Sequence, residues 1–307
     1  MDSSREHKMQ SGADFWAFWH RITSYFCNFT ARNAKRMEIF DFVFFRNALI
    51  GIMLVSVASA LIGTYVIVRR LMFVTGGITH SCFGGLGLGY YLGWNPLLVA
   101  GAFAIGSAVG IEWLSTRQHV RRDTAISVVW SLGMAMGVIF IFLTPGYVPE
   151  LNSFLFGNLL TITTADLTVF AVYLAVLLGV FVGLYRMITV CAFDADYGRT
   201  IGLPVRAVNM LMLVLVSISV VLTLKLIGIM LLMSLFGIPQ MIAEVFTPRL
   251  RPMMIIAAGV SLVCSVVGLF ISYYSNIPAS ATIVVTLVVA YAIARAIAYA
   301  IKRTHNR

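Results

Sequence analysis

One histidine lies where an ionisable side chain is costly to place. The run Val74-Thr-Gly-Gly-Ile-Thr-His80-Ser-Cys-Phe-Gly-Gly-Leu-Gly-Leu-Gly89-Tyr-Tyr-Leu-Gly93 is otherwise uncharged. An ionisable group inside an apolar span is a functional hypothesis by default. Neutral imidazole is also a common ligand for borderline transition metals. A hydrogen bond to Thr79 or to a carbonyl would instead give His80 a purely structural role. Around it, Gly77, Ser81, Gly85, Gly89 and Gly93 recur every four residues. That spacing lines up a small-residue face which another helix or a permeant species can approach closely. Gly76 and Gly84 add room beside the imidazole.

A second polar group lies between apolar runs, in Ala192-Phe-Asp-Ala-Asp-Tyr-Gly198-Arg-Thr-Ile-Gly202-Leu-Pro204. Asp194 and Asp196 at its start and Gly202-Leu203-Pro204 at its end are helix start and stop signals. Phe193, Ile201 and Leu203 are more apolar than a solvated loop requires. The segment, about 190–205, reads as a short surface helix suited to docking into a partner's groove. Other chemistries are missing. There is no Gly-x-x-x-x-Gly-Lys-Ser/Thr loop, no HExxH and no GxSxG elbow, so the chain reads as neither a Walker-type ATPase nor a hydrolase.

The elements that must position these residues are apolar. The 307 residues are 60% hydrophobic and only 11% charged, against roughly a quarter charged in a soluble domain. A hydrocarbon core about 30 Å thick takes roughly 20 helical residues to cross. Residues 47–68, 73–92, 96–111, 124–149, 167–185, 207–224, 226–243, 253–272 and 279–294 each approach that length. Barrel strands would instead alternate over about ten residues. The expected fold is an all-α, polytopic bundle of eight to nine spans. The net charge of +10 does not imply nucleic acid. Arg69, Arg70, Arg117, Arg121, Arg122, Arg186, Arg199, Arg206, Arg249, Arg251, Lys302, Arg303 and Arg307 fall on one side of the spans, and only Arg46 and Lys225 on the other. By the positive-inside rule the first side, with the C-terminus, is cytoplasmic.

Residues 1–36 stand apart from the permeating core of 37–307. Phe15, Trp19, Ile22, Phe26 and Phe29 form a helical aromatic stripe among six basic residues. This is either an interfacial amphipathic helix or an extension preceding a true start at Met37. Residues 145–165 read as a loop followed by a short or re-entrant helix, Lys225 as a snorkelling side chain, and Pro239 as a kink. Cys27, Cys82, Cys191 and Cys264 show no CxxC spacing, so no disulfide framework is implied.

Several pieces, in order, resemble the permease subunits of bacterial ABC importers for zinc, manganese or iron(II). They are Arg69-Arg70 leading into Gly76-Gly-Ile-Thr-His80, Arg122-Asp-Thr-Ala-Ile126, Phe156-Gly-Asn-Leu-Leu160, the Phe193–Pro204 helix, Lys225-Leu-Ile-Gly228 through Ile238-Pro239, and Ile277-Pro-Ala-Ser-Ala-Thr282. The resemblance spans about residues 45 to 300. It implies a multi-pass protein of the bacterial inner membrane and a homodimer around a translocation path. Cytosolic ABC ATPase subunits would dock on 192–204, and a periplasmic or lipid-anchored metal-binding protein would deliver the ion. No cofactor would be held permanently. That family usually opens this span with Gly-Asp-x-x-Ser-His, whose Asp and His resemble a transient metal site. His80 matches the His, Thr79 stands at the Ser position, and Gly76 replaces the Asp. Loss of the carboxylate softens the site and leans towards zinc rather than manganese. An importer of iron chelates or a vitamin, and an ATP-independent secondary transporter, are the rival readings. The secondary transporter would normally show acidic residues at mid-span, which this sequence lacks.

Overall fold

The computed structural model describes residues 43–118, 120–145, 157, 159 and 162–305. Two compact units are delimited, Met1–Arg46 and Asn47–Arg307. Of the first, only residues 43–46 are described; the expectations for residues 1–36 and Met37, and most of those for 145–165, fall outside the described residues. Among the described residues the longer elements are all helical: α1 Val43–Val68, α2 Met72–Leu92, α3 Pro96–Arg117, α4 Arg122–Leu143, α5 Thr164–Gly183, α6 Tyr185–Phe193, α7 Ala195–Thr200, α8 Val205–Phe246, α9 Leu250–Ser275 and α10 Ala279–His305.

Local chemistry sets the boundaries. Helix α2 stops at Gly93, which takes the left-handed conformation at φ 66°, a geometry that glycine adopts without a Cβ penalty. Helix α3 starts three residues later, at Pro96. The Asn95 side chain accepts from the Leu97 N–H at 3.0 Å, and Pro96 occupies the first helical position, where its missing N–H costs nothing. Thr163 and Asp166 form a reciprocal capping box at the start of α5.

Helix α8 is not one rod. Gly228 interrupts it at φ 77°, ψ 173°, a region essentially reserved for glycine. Two contacts show that the chain reverses there. Tyr65 Oη donates to Asn209 Oδ1 at 3.5 Å, and Gln240 Nε2 donates to the Ser59 carbonyl at 2.7 Å. Asn209 and Gln240 would lie about 46 Å apart on a straight helix. Ser59 and Tyr65, on one helix, are only about 9 Å apart. The arms 205–227 and 229–246 therefore run back along each other. The break sits at Gly228, three residues from the Lys225 expected to divide the runs 207–224 and 226–243, and Pro239 lies inside the second arm.

Seven of the described helices are long and apolar enough to cross a membrane: α1, α3, α4, α5, α8, α9 and α10. Dividing α8 at Gly228 makes eight crossings. Helix α2 is of comparable length, but its glycines, threonines and His80 dilute its hydropathy, and it is not among the seven. It is also the helix most enclosed by protein, packed chiefly on α4 and α3, with α8 beside it. The two arms of α8 contact α9, α10, α3 and α2, and supply much of the buried core, including Met212, Val220, Leu231, Leu232 and Phe236.

Candidate functional site

The small-residue face of α2 is used for helix packing. A Cβ on Gly133 of α4 would lie 2.4 Å from Ser81 Cα, and one on Gly137 2.6 Å from the Phe83 carbonyl oxygen. From the α2 side, a Cβ on Gly84 would come within 2.9 Å of the Gly133 oxygen, and one on Gly77 within 2.7 Å of Ile126 Cγ2. Towards α3, a Cβ on Gly85 would sit 2.6 Å from Ala100 Cα and one on Gly89 2.7 Å from Pro96 Cα. Gly77, Ser81 and Gly84 thus meet α4, and Gly85 and Gly89 meet α3. Such backbone approach lets dispersion replace the hydrophobic drive that lipid cannot supply. Gly76 faces α8, where a Cβ would be 3.2 Å from the flexible end of Met233.

His80 and Thr79, adjacent in sequence, point into different surroundings. Thr79 is fully buried. Its hydroxyl donates to the Thr75 carbonyl at 2.7 Å and lies 3.9 Å from Met233 Sδ. It is already satisfied within its own helix. His80 is half-buried, and its ring stacks on Trp130 of α4, with centroids 4.2 Å apart and planes within 7°. No hydrogen bond joins the imidazole to a described residue, so both ring nitrogens keep their capacity. Among the described residues, no three His, Cys, Asp or Glu side chains are grouped to hold a metal ion. Among the described residues the site offers one imidazole, stacked and free of hydrogen bonds.

The 190–205 segment folds as two short helices rather than one. Residues up to Phe193 continue α6, and Asp194 breaks away at φ −143°, ψ 94° to cap α7. Its Oδ1 accepts from the Asp196 N–H at 3.1 Å and the Tyr197 N–H at 2.8 Å, the standard role of an N-cap carboxylate. At the other end, Leu203 N–H donates to the Gly198 carbonyl and Gly202 N–H to the Arg199 carbonyl. With Gly202 at φ 79° this is a Schellman motif, and Pro204 then caps α8. Gly198 is buried, where a Cβ would meet Val205 Cγ2 at 3.0 Å. Phe193, Tyr197 and Ile201 are at least half exposed. Asp196 pairs with Arg199 at 2.9 Å on the open surface, worth little by itself.

Beside Phe193, a groove of about 410 Å³ is lined by Tyr185, Thr189, Arg249 and Arg251 among others. Arg251 lies over the Tyr185 ring, 4.2 Å from its centroid. Arg69 reaches across from the end of α1 to donate to the Cys191 carbonyl at 3.1 Å. Burial pushes the Cys191 thiol above its ordinary pKa, against the opposing pull of Arg69, so it stays uncharged at neutral pH.

Two contacts lay beyond the reach of sequence reasoning. Trp130 gave no signal of its own; only the structure sets it on His80. Lys225 does not merely snorkel. It forms an ion pair with Asp166, the residue that closes the α5 capping box. Gly157, at φ 63°, packs its backbone against Ile227 and Gly228 at the same turn.

The described helices thus make a multi-span bundle with His80 inside it and a capped surface helix at one end. The chain belongs to the ABC 3 transport family, whose model matches residues 41–298. A metal transport system membrane protein of Chlamydia trachomatis serovar D, described as probable, is 32% identical over 237 residues, which is 75% of this chain and 80% of that one. The manganese transport system membrane protein MntC of Listeria monocytogenes serovar 1/2a is 27% identical over 247 residues, covering 80% of this chain and 88% of its own length. Among solved structures, PsaBC from Streptococcus pneumoniae in complex with Fab superposes with a TM-score of 0.76 at 26% identity, over 84% of this chain and 92% of that one. This multi-pass protein is therefore a permease of an ABC metal import system and is not itself an enzyme.

Proposed function

We propose that this permease carries a divalent transition metal inward past His80, which serves as a momentary ligand, and that the preferred ion is zinc. The observation that carries this reading is the half-buried His80 imidazole, stacked but free of hydrogen bonds, with no carboxylate grouped beside it. A site of neutral nitrogen ligands suits zinc; manganese prefers hard oxygen donors. An incomplete shell is no handicap for a transported ion, which must be released as readily as it is bound. Gly76 leaves the neighbouring position without a donor. Manganese is the second reading, favoured by the names of the Listeria relatives.

The Arg-rich end, with the C-terminus, lies in the cytoplasm of a bacterial inner membrane. There the exposed Phe193, Tyr197 and Ile201, with Asp194, Asp196, Gly198, Gly202, Leu203 and Pro204 shaping α6 and α7, receive cytosolic ABC ATPase subunits. A second copy of the chain completes the path, and a periplasmic or lipid-anchored binding protein delivers the ion. Radioactive zinc and manganese uptake by cells carrying the whole importer tests the metal. Zinc should accumulate faster, and excess zinc should suppress manganese uptake. Faster manganese uptake, insensitive to zinc, would sink the zinc reading. His80→Ala should abolish accumulation at unchanged membrane abundance; normal uptake would remove His80 from the path.

A further inference from the structure

Metal-ligating histidines are normally held by a hydrogen bond from the second ring nitrogen to a carboxylate or carbonyl, which fixes the ring plane and raises its basicity. His80 has no such bond to a described residue. A torsion about a bond to a planar ring is otherwise broad, so a bare His80 would sweep its nitrogens through a wide arc. What holds it is Trp130, whose indole lies parallel to the imidazole with centroids 4.2 Å apart and planes within 7°.

We propose that Trp130 is the positioning residue for His80 as a metal ligand, holding its ring plane and favouring its metal-bound form. The proposal rests on His80 being a ligand, as argued above. Two features of the geometry support it. A metal binds in the plane of the imidazole, at a nitrogen on the ring's edge, and Trp130 covers a face, so the stack orients the ring without obstructing coordination. Metal binding also draws electron density from the imidazole and leaves it partly cationic. The negative face of an indole stabilises such a ring, and tryptophan does so best among the aromatic side chains. Trp130 thereby supplies part of what a neighbouring carboxylate would have supplied.

The backbone holds this pair in register. Gly133 lies one turn along α4 from Trp130, and Ser81 follows His80. Close approach of Gly133 to Ser81 fixes the height of the indole against the imidazole. Trp130 is 37% exposed, so most of its ring is packed, and the Phe variant serves as the control that keeps an aromatic in that packing.

The test is equilibrium binding of radioactive zinc to the assembled importer in nanodiscs, without binding protein and without ATP. Trp130→Leu should raise the zinc Kd roughly three- to thirtyfold, and Trp130→Phe, which keeps an aromatic face, should recover to within about threefold of wild type. His80→Ala should lose the site. Wild-type affinity in Trp130→Leu, with binding lost in His80→Ala, would overturn the role of Trp130 and leave His80 a ligand. Wild-type affinity in His80→Ala would overturn the ligand reading itself. Equal weakening in the Leu and Phe variants would show that shape, not the aromatic face, matters, and would overturn the proposal. Should the Leu variant fail to assemble, Trp130→Met replaces it against the same Phe control.

Discussion

Replacing Gly133 by alanine should force α2 and α4 apart. The new Cβ would stand 2.4 Å from Ser81 Cα and 2.9 Å from the Ser81 oxygen. Carbon atoms in contact rest about 3.5–4.0 Å apart, so the shortfall exceeds about 1 Å and falls on backbone. No side-chain rotation relieves it; the helices must separate. Overpacking of this kind costs about 1–3 kcal/mol, and the backbone clash argues for the upper part of that range. Alanine's better helix propensity offsets up to about 1 kcal/mol, leaving a net loss of about 2 kcal/mol. The matched control is Gly101→Ala on α3, where a Cβ meets nothing within 4 Å; it keeps the propensity gain and has no clash. Reversible unfolding in mixed detergent micelles should rank Gly101→Ala at or above wild type and Gly133→Ala well below it. Equal stability of the two variants would refute the close α2–α4 packing on which the placement of His80 against Trp130 depends.

Three further outcomes follow from single contacts. Gly228→Ala should cost about 1–3 kcal/mol, because its backbone occupies a region that only glycine enters freely; unfolding in the same micelles checks it, and a neutral result would contradict the reversal of α8. Asp194→Ala removes the carboxylate oxygen that accepts from the two N–H groups at the start of α7 and should cost about 1 kcal/mol locally, lowering ATPase stimulation in the assembled importer, while Asp194→Asn should restore it; full stimulation in the alanine variant would separate α7 from ATPase docking. Zinc should bind with one ion per two chains, since a single chain groups no three ligating side chains among its described residues; one tightly held ion per monomer would rule out a shared site.

The all-helical, multi-span fold was legible because membrane insertion imposes long apolar runs, and those around α1, α3, α5 and α9 show it directly. The start of α7 was legible because Asp194 is an N-cap type in an apolar context, and its end because Gly202-Leu-Pro cannot continue a helix. The division at Asp194 was not, since both sides of it are helical and only φ and ψ distinguish a cap from an interior residue. The reversal within α8 was legible from Lys225, which parts the runs 207–224 and 226–243; its place at Gly228 was not, because a glycine in an apolar run is as compatible with close packing as with a turn. The glycines of α2 announced close approach but not to what, because four-residue spacing serves a neighbouring helix and a permeant ion equally. His80 stood out by charge class alone. Its partner did not, since an interior tryptophan marks no chemistry until its ring is seen against another.

The placement of His80 also bears on how events at the Arg-rich end reach it. Helix α7 rests on α6: a Cβ on Gly198 would be 3.5 Å from Val190 Cγ1 and 3.9 Å from Cys191 Sγ. The Cys191 carbonyl in turn accepts from Arg69 at 3.1 Å. Arg69 lies three residues before α2, at a turn where Arg70 takes φ 54°. Packed contacts therefore run without a gap from the exposed surface of α7, through α6 and the α1–α2 turn, to the helix that bears His80. Continuity alone does not make coupling; a two-state element must lie on the route. The route ends on α2, whose close glycine approach to α4 holds His80 in register with Trp130, so any displacement of α2 against α4 would be felt at His80.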